Sequence, residues 1–107
     1  MQEIRDLHAL ILAIQGATNE LDRLQFQALA LCSEAGEAGN VVKKLVYYPL
    51  SECEKAEKFQ HLQDELCDVL YHLTALAIES GITLEELIVS TICKHTQSLE
   101  KIKRKKE

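Results

Sequence analysis

The sequence predicts an all-α protein, folded as an antiparallel bundle of four helices. Apolar residues recur at helical spacing through nearly the whole chain, and no stretch shows the sustained apolar and polar alternation that is typical of strands. The length of 107 residues fits a single domain covering residues 1–107. A monomer of this size leaves much of its apolar surface exposed, so we expect oligomerisation to complete the core.

Helix-breaking residues set the predicted boundaries. Gly16 and Gly81 are expected to end helices, and Pro49 disfavours the helical conformation in the residue before it. Thr18 or Asn19 is the expected cap of the second helix. The predicted helices cover residues 4–14, 20–46, 52–80 and 84 onward, with fraying expected in the basic tail 100–107.

The two later helices carry a stronger start signal. Ser51 is followed three residues later by Glu54, and Thr83 is followed three residues later by Glu86. This is the spacing of a capping box, in which each side chain bonds the backbone N–H of the other residue. We therefore expect one helix to begin directly after Ser51 and another directly after Thr83.

Composition and charge exclude several classes of protein. The chain is 47% hydrophobic and 27% charged, with one Pro and four Gly, which excludes collagen-like, low-complexity and disordered chains. The formal net charge is −5, and the acidic body argues against nucleic acid as the main partner. No run approaches the ~18 apolar residues of a membrane span, and no secretory signal opens the sequence, so we expect a cytoplasmic protein without membrane contact.

The four cysteines give no sign of a metal or redox site. Cys32, Cys53, Cys67 and Cys93 are far apart, without a C-x-x-C pair and without histidines at zinc-finger spacing. We expect reduced thiols, most of them buried.

Two acidic pairs are the candidate functional feature. Glu34 and Glu37 are three residues apart, as are Glu65 and Asp68, so each pair points to one side of its helix. Steps of about 100° per residue place Glu34 inside an apolar sector of the second helix and Glu65 beside a corresponding stripe of the third. The flanking apolar residues are Leu31, Ala38, Val41 and Leu45 on the second helix and Leu62, Leu66, Val69 and Leu73 on the third.

Both pairs are therefore expected to face the bundle interior. Inward carboxylates are costly unless they are protonated, paired or metal-bound, and four converging ones repel each other. An all-oxygen ligand set suits Mg²⁺, with Mn²⁺ as a possible substitute, far better than zinc or copper. Because Mg²⁺ in proteins is commonly completed by water and substrate phosphates, the pattern indicates a nucleotide or polyphosphate site.

Gly36 and Gly39 lie within the second helix, where each costs about 1 kcal/mol relative to Ala. That cost is explained if a ligand or another helix approaches the backbone closely. Tight helix packing alone is an equally acceptable explanation.

The segment from Glu34 to Lys44, EAGEAGNVVKK, followed by DELCDVLY from Asp64 to Tyr71, resembles the MazG-like group of all-α nucleoside triphosphate pyrophosphohydrolases. The resemblance covers about residues 24–94. It implies cleavage between the α- and β-phosphates, giving a nucleoside monophosphate and pyrophosphate, with Mg²⁺ and a homodimer or homotetramer.

The resemblance also implies roles for the acidic residues. Glu34, Glu37, Glu65 and Asp68 occupy the positions of the family's metal ligands. Glu37 and Glu65 are the expected catalytic residues, and Glu37 is the residue that orients or deprotonates the attacking water.

Basic residues are the expected phosphate contacts. Lys43 and Lys44 match a basic position after the first acidic pair, and Lys94 is retained from the family's last helix. The chain departs from that helix at Thr91 and from His95 onward. These departures leave the preferred nucleotide open.

Two polar residues complete the predicted substrate site. Gln27 lies on the stripe of Glu34 and is expected to reach a base or ribose, and His72, one turn beyond Asp68, to reach a phosphate or metal-bound water. The other histidines, His8, His61 and His95, stand at positions without convergent partners.

Two other functions stay open. The run from Asp68 to His72, DVLYH, resembles that of phosphoribosyl-ATP pyrophosphohydrolases, although the glycine-containing segment after Glu34 fits the MazG-like group better. A non-catalytic helical oligomerisation module, with the acids in salt bridges across a dimer interface, is the alternative outside the enzymes.

Overall fold

The structure is a computed structural model that describes residues 1–15 and 20–106, and this described part is helical with short connections. Its helices are α1 (Gln2–Gln15), α2 (Glu20–Tyr47), α3 (Glu52–Glu79) and α4 (Leu84–Lys106). The predicted all-α class is confirmed, and the start and end of each predicted helix lie within two residues of those observed. The expected stop at Gly16 and the cap at Thr18 or Asn19 lie outside the described residues.

The described part of the basic tail is helical. Helix α4 continues through it to Lys106, and fraying of this tail stays a prediction. Cationic side chains in the last turn interact favourably with the negative end of the helix dipole, which is consistent with a helix that extends this far.

Both predicted capping boxes are present. Before α3, the Glu54 N–H donates to Ser51 Oγ at 3.1 Å, and the Ser51 N–H donates to Glu54 Oε1 at 3.3 Å. Before α4, the Glu86 N–H donates to Thr83 Oγ1 and the Thr83 N–H donates to Glu86 Oε2, each at 3.1 Å. These bonds satisfy N–H groups that the first turn of a helix leaves without partners.

Helix α3 ends at a glycine in the left-handed conformation. Gly81 has φ +81°, its N–H donates to the Ile78 carbonyl at 3.0 Å, and the Ile82 N–H donates to the Ala77 carbonyl at 2.8 Å. This pair of bonds is a Schellman motif, in which glycine avoids the steric cost of a Cβ at positive φ. The chain then passes through residues 80–83 into α4.

Helices α2 and α3 form the centre of the fold as an antiparallel hairpin. They make the most extensive contact between helices, while α1 and α4 pack against α3 and against each other. A buried ion pair joins the start of α2 to the end of α3, with Arg23 Nε 2.9 Å from Glu79 Oε1. The Glu79 side chain is only 7% exposed, so the ion pair fixes the hairpin at the end far from its turn.

The core of the single chain is small. Its buried apolar residues are Ile11, Ala38, Val41, Ala75, Ala77 and Leu84. The expected apolar sector of α2 is buried at Ala38 and Val41, but Leu66 and Leu73 of the α3 stripe are 52% and 37% exposed. The interior prediction is wrong for Leu66 within the described part of the chain, whereas Leu73 lines a partly open space between α1, α3 and α4.

The overall dimensions agree with incomplete burial. The chain has 7996 Å² of accessible surface, whereas a compact monomer of its mass has about 6,000 Å². The radius of gyration is 17.5 Å, against about 13 Å for a compact chain of this length. Within the described residues, no helix is long and apolar enough to cross a membrane.

The expectation of mostly buried thiols is wrong. The side chains of Cys32, Cys53, Cys67 and Cys93 are all free and exposed. These residues occupy outer faces of α2, α3 and α4, away from the contacts between helices.

Replacing Gly81 by Ala should destabilise the chain by about 1–2 kcal/mol, the cost of a Cβ at positive φ. Open space surrounds the position, so the effect comes from backbone strain and not from a clash. Chemical unfolding monitored by circular dichroism measures the change. The matched variant Gly81→Asn should lose less, because Asn tolerates this conformation better. Equal stability of Gly81→Ala and the wild type would contradict the assignment.

Candidate metal centre

Helices α2 and α3 bring three predicted metal ligands together. Glu34, Glu37 and Glu65 each offer one carboxylate oxygen, and these oxygens lie within 4.8 Å of one another. The first two residues are one turn apart on α2, and the third faces them from α3. We call these three residues the acidic group.

Burial within the acidic group is uneven. The Oε2 atoms of Glu34 and Glu65 are buried without a hydrogen-bond partner, and the Glu65 side chain is 13% exposed. Glu37 and Asp68 are exposed, so the expectation that both pairs face the interior is wrong for these two residues. Asp68 also stands outside the group of close oxygens, although its negative charge is near enough to act on Glu34.

Glu34 carries the strongest electrostatic perturbation. Desolvation by burial raises its pKa to about 7, and a hydrogen bond with Glu65 and the negative charges of Glu37, Asp68 and Glu65 act in the same direction. Its pKa in the unfolded chain is the model-compound value of 4.5. The folded chain without a cation therefore loses stability as the pH rises from 4.5 to about 7, because it must give up a proton that it holds more tightly.

Glu65 is shifted in the opposite direction. Desolvation by burial raises its pKa, but hydrogen bonds from Glu37, Glu34 and His61 and the attraction of His61 outweigh burial, so the pKa is lowered. His61 Nε2 lies 3.1 Å from Glu65 Oε1. The expectation that His61 has no convergent partner is therefore wrong, and its position four residues before Glu65 on one helix was the signal that it would be close.

The acidic group suits a hard divalent cation. Its donors are all carboxylate oxygens, and the two orphaned oxygens of Glu34 and Glu65 would be costly to bury without a cation or proton. A cation held between the helices would offset the desolvation and the negative neighbours that raise the pKa of Glu34 to about 7. The residues present therefore fit Mg²⁺ or Mn²⁺.

The two predicted polar contacts of the substrate meet each other. His72 Nδ1 lies 2.7 Å from Gln27 Oε1, and Gln27 is only 5% exposed. The rings of Phe26 and Tyr71 meet the His72 ring edge to face, at centroid distances of 6.2 Å and 5.1 Å. Tyr71 is the sequence neighbour of His72 on α3, whereas the contact with Phe26 of α2 crosses between helices and leaves no local signal in the sequence.

The hydrogen bond between Gln27 and His72 is separated from the acidic group by the same number of residues on α2 and on α3. Gln27 precedes Glu34 by seven residues on α2, and His72 follows Glu65 by seven residues on α3. Because the helices are antiparallel, the pair lies two turns from the acidic group, about 10 Å along the hairpin.

The predicted phosphate contacts are not joined to the acidic group. Throughout residues 1–15 and 20–106, no hydrogen bond or ion pair links Lys43, Lys44 or Lys94 to it. Lys44 follows Glu37 by seven residues and shares its face, whereas Lys43 lies on the face opposite Glu34. Lys94 is on α4, which packs against α1 and α3.

The glycines of α2 have no close neighbour within the chain. A Cβ at Gly36 or Gly39 would meet nothing within 4 Å among the described residues. Packing between helices within the described part of the chain therefore does not explain them.

Fold and site together define an all-α protein with a carboxylate group suited to a divalent cation between two antiparallel helices. Residues 24–105 match the MazG nucleotide pyrophosphohydrolase domain, and the chain belongs to this family. It is thus a nucleotide pyrophosphohydrolase, of a family that is typically metal-dependent, and the resemblance seen in the sequence is confirmed. No curated protein and no solved structure matches the chain.

Cation affinity should rise with pH, because binding must displace the proton of Glu34, whose pKa is about 7. Below neutral pH the affinity for Mn²⁺ should fall roughly tenfold per pH unit, as expected for release of one proton. Titration calorimetry in buffers of different ionisation enthalpy measures both affinity and proton release. An Mn²⁺ affinity that stays constant from pH 6 to pH 8 would contradict displacement of a proton from Glu34. The control variant Glu57→Gln, which changes an exposed acid on α3, should alter neither the affinity nor the proton release.

Replacing His61 by Ala should raise the pKa of Glu65, because its hydrogen bond and attraction to the carboxylate are lost. The pH profile of Mn²⁺ affinity should then move to higher pH. The matched control His95→Ala removes an exposed histidine of α4 and should leave the profile in place. A profile unchanged by His61→Ala would show that this histidine has no influence on the acidic group.

Proposed function

We propose that this enzyme hydrolyses a nucleoside triphosphate, ribo or deoxy, between its α- and β-phosphates. The products are the nucleoside monophosphate and pyrophosphate, and Mg²⁺ is the cation, with Mn²⁺ as a substitute. The observation that carries the proposal is the acidic group, in which the carboxylates of Glu34, Glu37 and Glu65 converge from two helices. Two of their own oxygens are buried without a hydrogen-bond partner.

The proposed ligands are Glu34, Glu37 and Glu65, with Asp68 adding its charge from the next turn of α3. When bound, Mg²⁺ supplies positive charge against the phosphate oxygens and lowers the pKa of coordinated water. The unpaired Oε2 atoms of Glu34 and Glu65 are the ligand atoms that a bound cation would stabilise most, because they have already lost their contact with water.

Glu37 is the proposed general base. It is the exposed member of the acidic group, so a water molecule can reach its carboxylate. The water oxygen forms a bond to the α-phosphorus while its proton passes to Glu37. The bond from that phosphorus to the bridging oxygen breaks, and its electron pair leaves with pyrophosphate.

Glu65 is the proposed partner of Glu37 in catalysis. Its lowered pKa keeps it ionised, and the hydrogen bond to His61 fixes its Oε1, so it offers a constant negative charge at the reacting end of the site. An ionised, oriented carboxylate holds the cation and the attacking water in one geometry.

Gln27 and His72 are proposed to contact the nucleoside. They lie about 10 Å from the acidic group along the hairpin, a separation that suits the sugar and base of a nucleotide whose phosphates lie at the acids. Phe26, which is 61% exposed beside His72, offers a ring face for stacking.

Three lysines remain as proposed phosphate contacts. Lys44 has the best support, since it shares the face of Glu37, two turns further along α2. Lys43 and Lys94 would reach the phosphates only if a second chain or a bound substrate brings them near. A lysine ammonium group beside the phosphates would offset the negative charge that develops on the leaving pyrophosphate.

The enzyme is proposed to act as a homodimer or homotetramer in the cytoplasm. The roughly 2,000 Å² of surface beyond that of a compact monomer supports self-association. Four free, exposed cysteines support a reducing compartment.

Incubation with a panel of nucleoside triphosphates and deoxynucleoside triphosphates plus Mg²⁺, followed by detection of pyrophosphate, tests the proposal. Phosphoribosyl-ATP belongs in the panel, because preferential cleavage of that compound would favour the alternative family instead. Release of orthophosphate alone would contradict cleavage between the α- and β-phosphates.

Substitution of Glu65 by Gln should lower kcat by at least about 100-fold, because it removes a charged ligand while keeping the shape of the side chain. The variant Glu34→Gln should lose activity similarly and, without metal at pH 8, should be more stable to heat than the wild type, since a repelled carboxylate is gone. The matched control Glu57→Gln should keep wild-type activity and stability. Full activity of Glu65→Gln would overturn the assignment of the site.

A further inference from the structure

We propose that α4 is a self-association surface, which pairs antiparallel with α4 of a second copy of this chain. The proposal rests on the homo-oligomer proposed above and goes beyond it by naming the helix, its direction and the residues that meet. It does not depend on the nucleotide chemistry.

The first observation is a row of exposed apolar side chains along α4. Ile88, Ile92, Leu99 and Ile102 are 38%, 62%, 50% and 53% exposed. Together with His95 they recur at alternating spacings of four and three residues, which places them on one narrow face of the helix. We call these five positions the seam. A heptad seam of this kind is stable only when a partner helix covers it.

The second observation is that α4 extends beyond the rest of the molecule. Its 23 residues span about 35 Å, and Leu84 is its one buried residue. All residues from 88 to 106 are exposed. An isolated amphipathic helix gains little stability from hydrogen bonds alone, so this length of helix requires a packing partner.

The third observation is the distribution of charge along the helix. The first turn carries Glu85 and Glu86, and the last turn carries only basic residues among its charges. Glu85 stands three residues before Ile88, on the edge of the seam, and Lys103 lies on the corresponding edge at the other end. Antiparallel pairing of two copies places acidic ends against basic ends, whereas parallel pairing would place like charges together.

A cavity beside the seam also supports antiparallel pairing of the two α4 helices. A space of about 450 Å³ lies between α1, α3 and α4, lined mainly by apolar residues that include Leu7, Leu70, Leu73, Ile88 and Ile92. It adjoins the first half of α4. In an antiparallel pair the second half of the partner helix, with its Leu99 and Ile102, lies against this half and covers the cavity.

The area to be buried is sufficient for a stable dimer. The chain exposes roughly 2,000 Å² more than a compact monomer of its mass, and standard interfaces bury about 800 Å² per partner. A second copy is also a better fit than an anionic surface. Five basic residues lie between 101 and 106, but the first half of α4 is acidic at its start and apolar along the seam, so a polyanion would find attraction only at one end.

Reversing a charge at either end of the seam tests the proposal. In a two-fold antiparallel pair, the start of each α4 meets the end of its partner, so each substitution acts at both ends of the dimer. Glu85→Lys places a lysine against the basic end of the partner helix, and Lys103→Glu places a glutamate against its acidic start. Each variant should raise the dissociation constant of the dimer about tenfold at low salt, measured by sedimentation velocity. An equimolar mixture of the two should regain wild-type association, because opposite charges then meet at both ends.

Matched controls carry the same charge change away from the seam. Glu100→Lys and Arg104→Glu lie on other faces of α4 and should associate like the wild type. All four positions are exposed, so folding is expected to survive, and circular dichroism checks that it does.

Cross-linking determines the direction of pairing. In a chain whose four native cysteines are replaced by Ser, Ile88→Cys and Ile102→Cys variants are mixed and treated with a short bismaleimide. Antiparallel pairing yields cross-links between the two variants in the mixture and few within either variant alone. Parallel pairing would instead cross-link each variant with itself, and that result would overturn the proposal.

The remaining outcomes separate this proposal from the proposed enzyme. A wild-type chain that is monomeric at micromolar concentration overturns both the α4 pairing and the homo-oligomer. It does not affect the proposed hydrolysis of nucleotides, which the pyrophosphate assay tests separately. An oligomer that is indifferent to Glu85→Lys and Lys103→Glu overturns the α4 pairing alone. Loss of binding to phosphatidylserine vesicles in Lys103→Glu, without a change in oligomer, would assign α4 to an anionic surface instead.

Discussion

The fold depends on the close approach of α2 and α3 with carboxylates between them. Desolvation of Glu34 and repulsion among these groups oppose the approach, and together they raise the pKa of Glu34 to about 7. The Arg23 and Glu79 ion pair and the Gln27 and His72 hydrogen bond hold the same two helices together further along the hairpin. Stability contributed there offsets the cost of bringing the acids together, so the carboxylates of the proposed metal site stay close to one another without a cation.

Features governed by neighbouring residues could be predicted from the sequence. The capping boxes at Ser51 and Thr83 and the stop at Gly81 involve residues three to five apart, and the structure contains each of them. The acidic pairs could also be found, because spacing along one helix determines which residues share a face. Their meeting across two helices was inferred from the cost of burying charge.

Features that depend on contacts between helices were harder to predict. The projection of α3 assigned Leu66 to an interior that the single chain does not provide, and the same lack of cover leaves the cysteines exposed. The contact of His61 with Glu65 is an exception, because residues four apart on one helix are neighbours and the sequence alone indicates their proximity. The pairing of Gln27 with His72 required the register of two helices, which no local pattern contains.

That register has a consequence for how such a chain can change. In the Gln27 to Glu34 segment of α2 and in the Glu65 to His72 segment of α3, the end residues are seven positions apart, so the two cross-helix contacts are separated by the same length on both helices. Insertion or deletion of one residue inside either segment would rotate everything beyond it by about 100° and uncouple the two contacts. Substitutions at the positions between these end residues keep the register of the two contacts, whereas changes of length do not. Natural variation in length should therefore gather in the connections between helices.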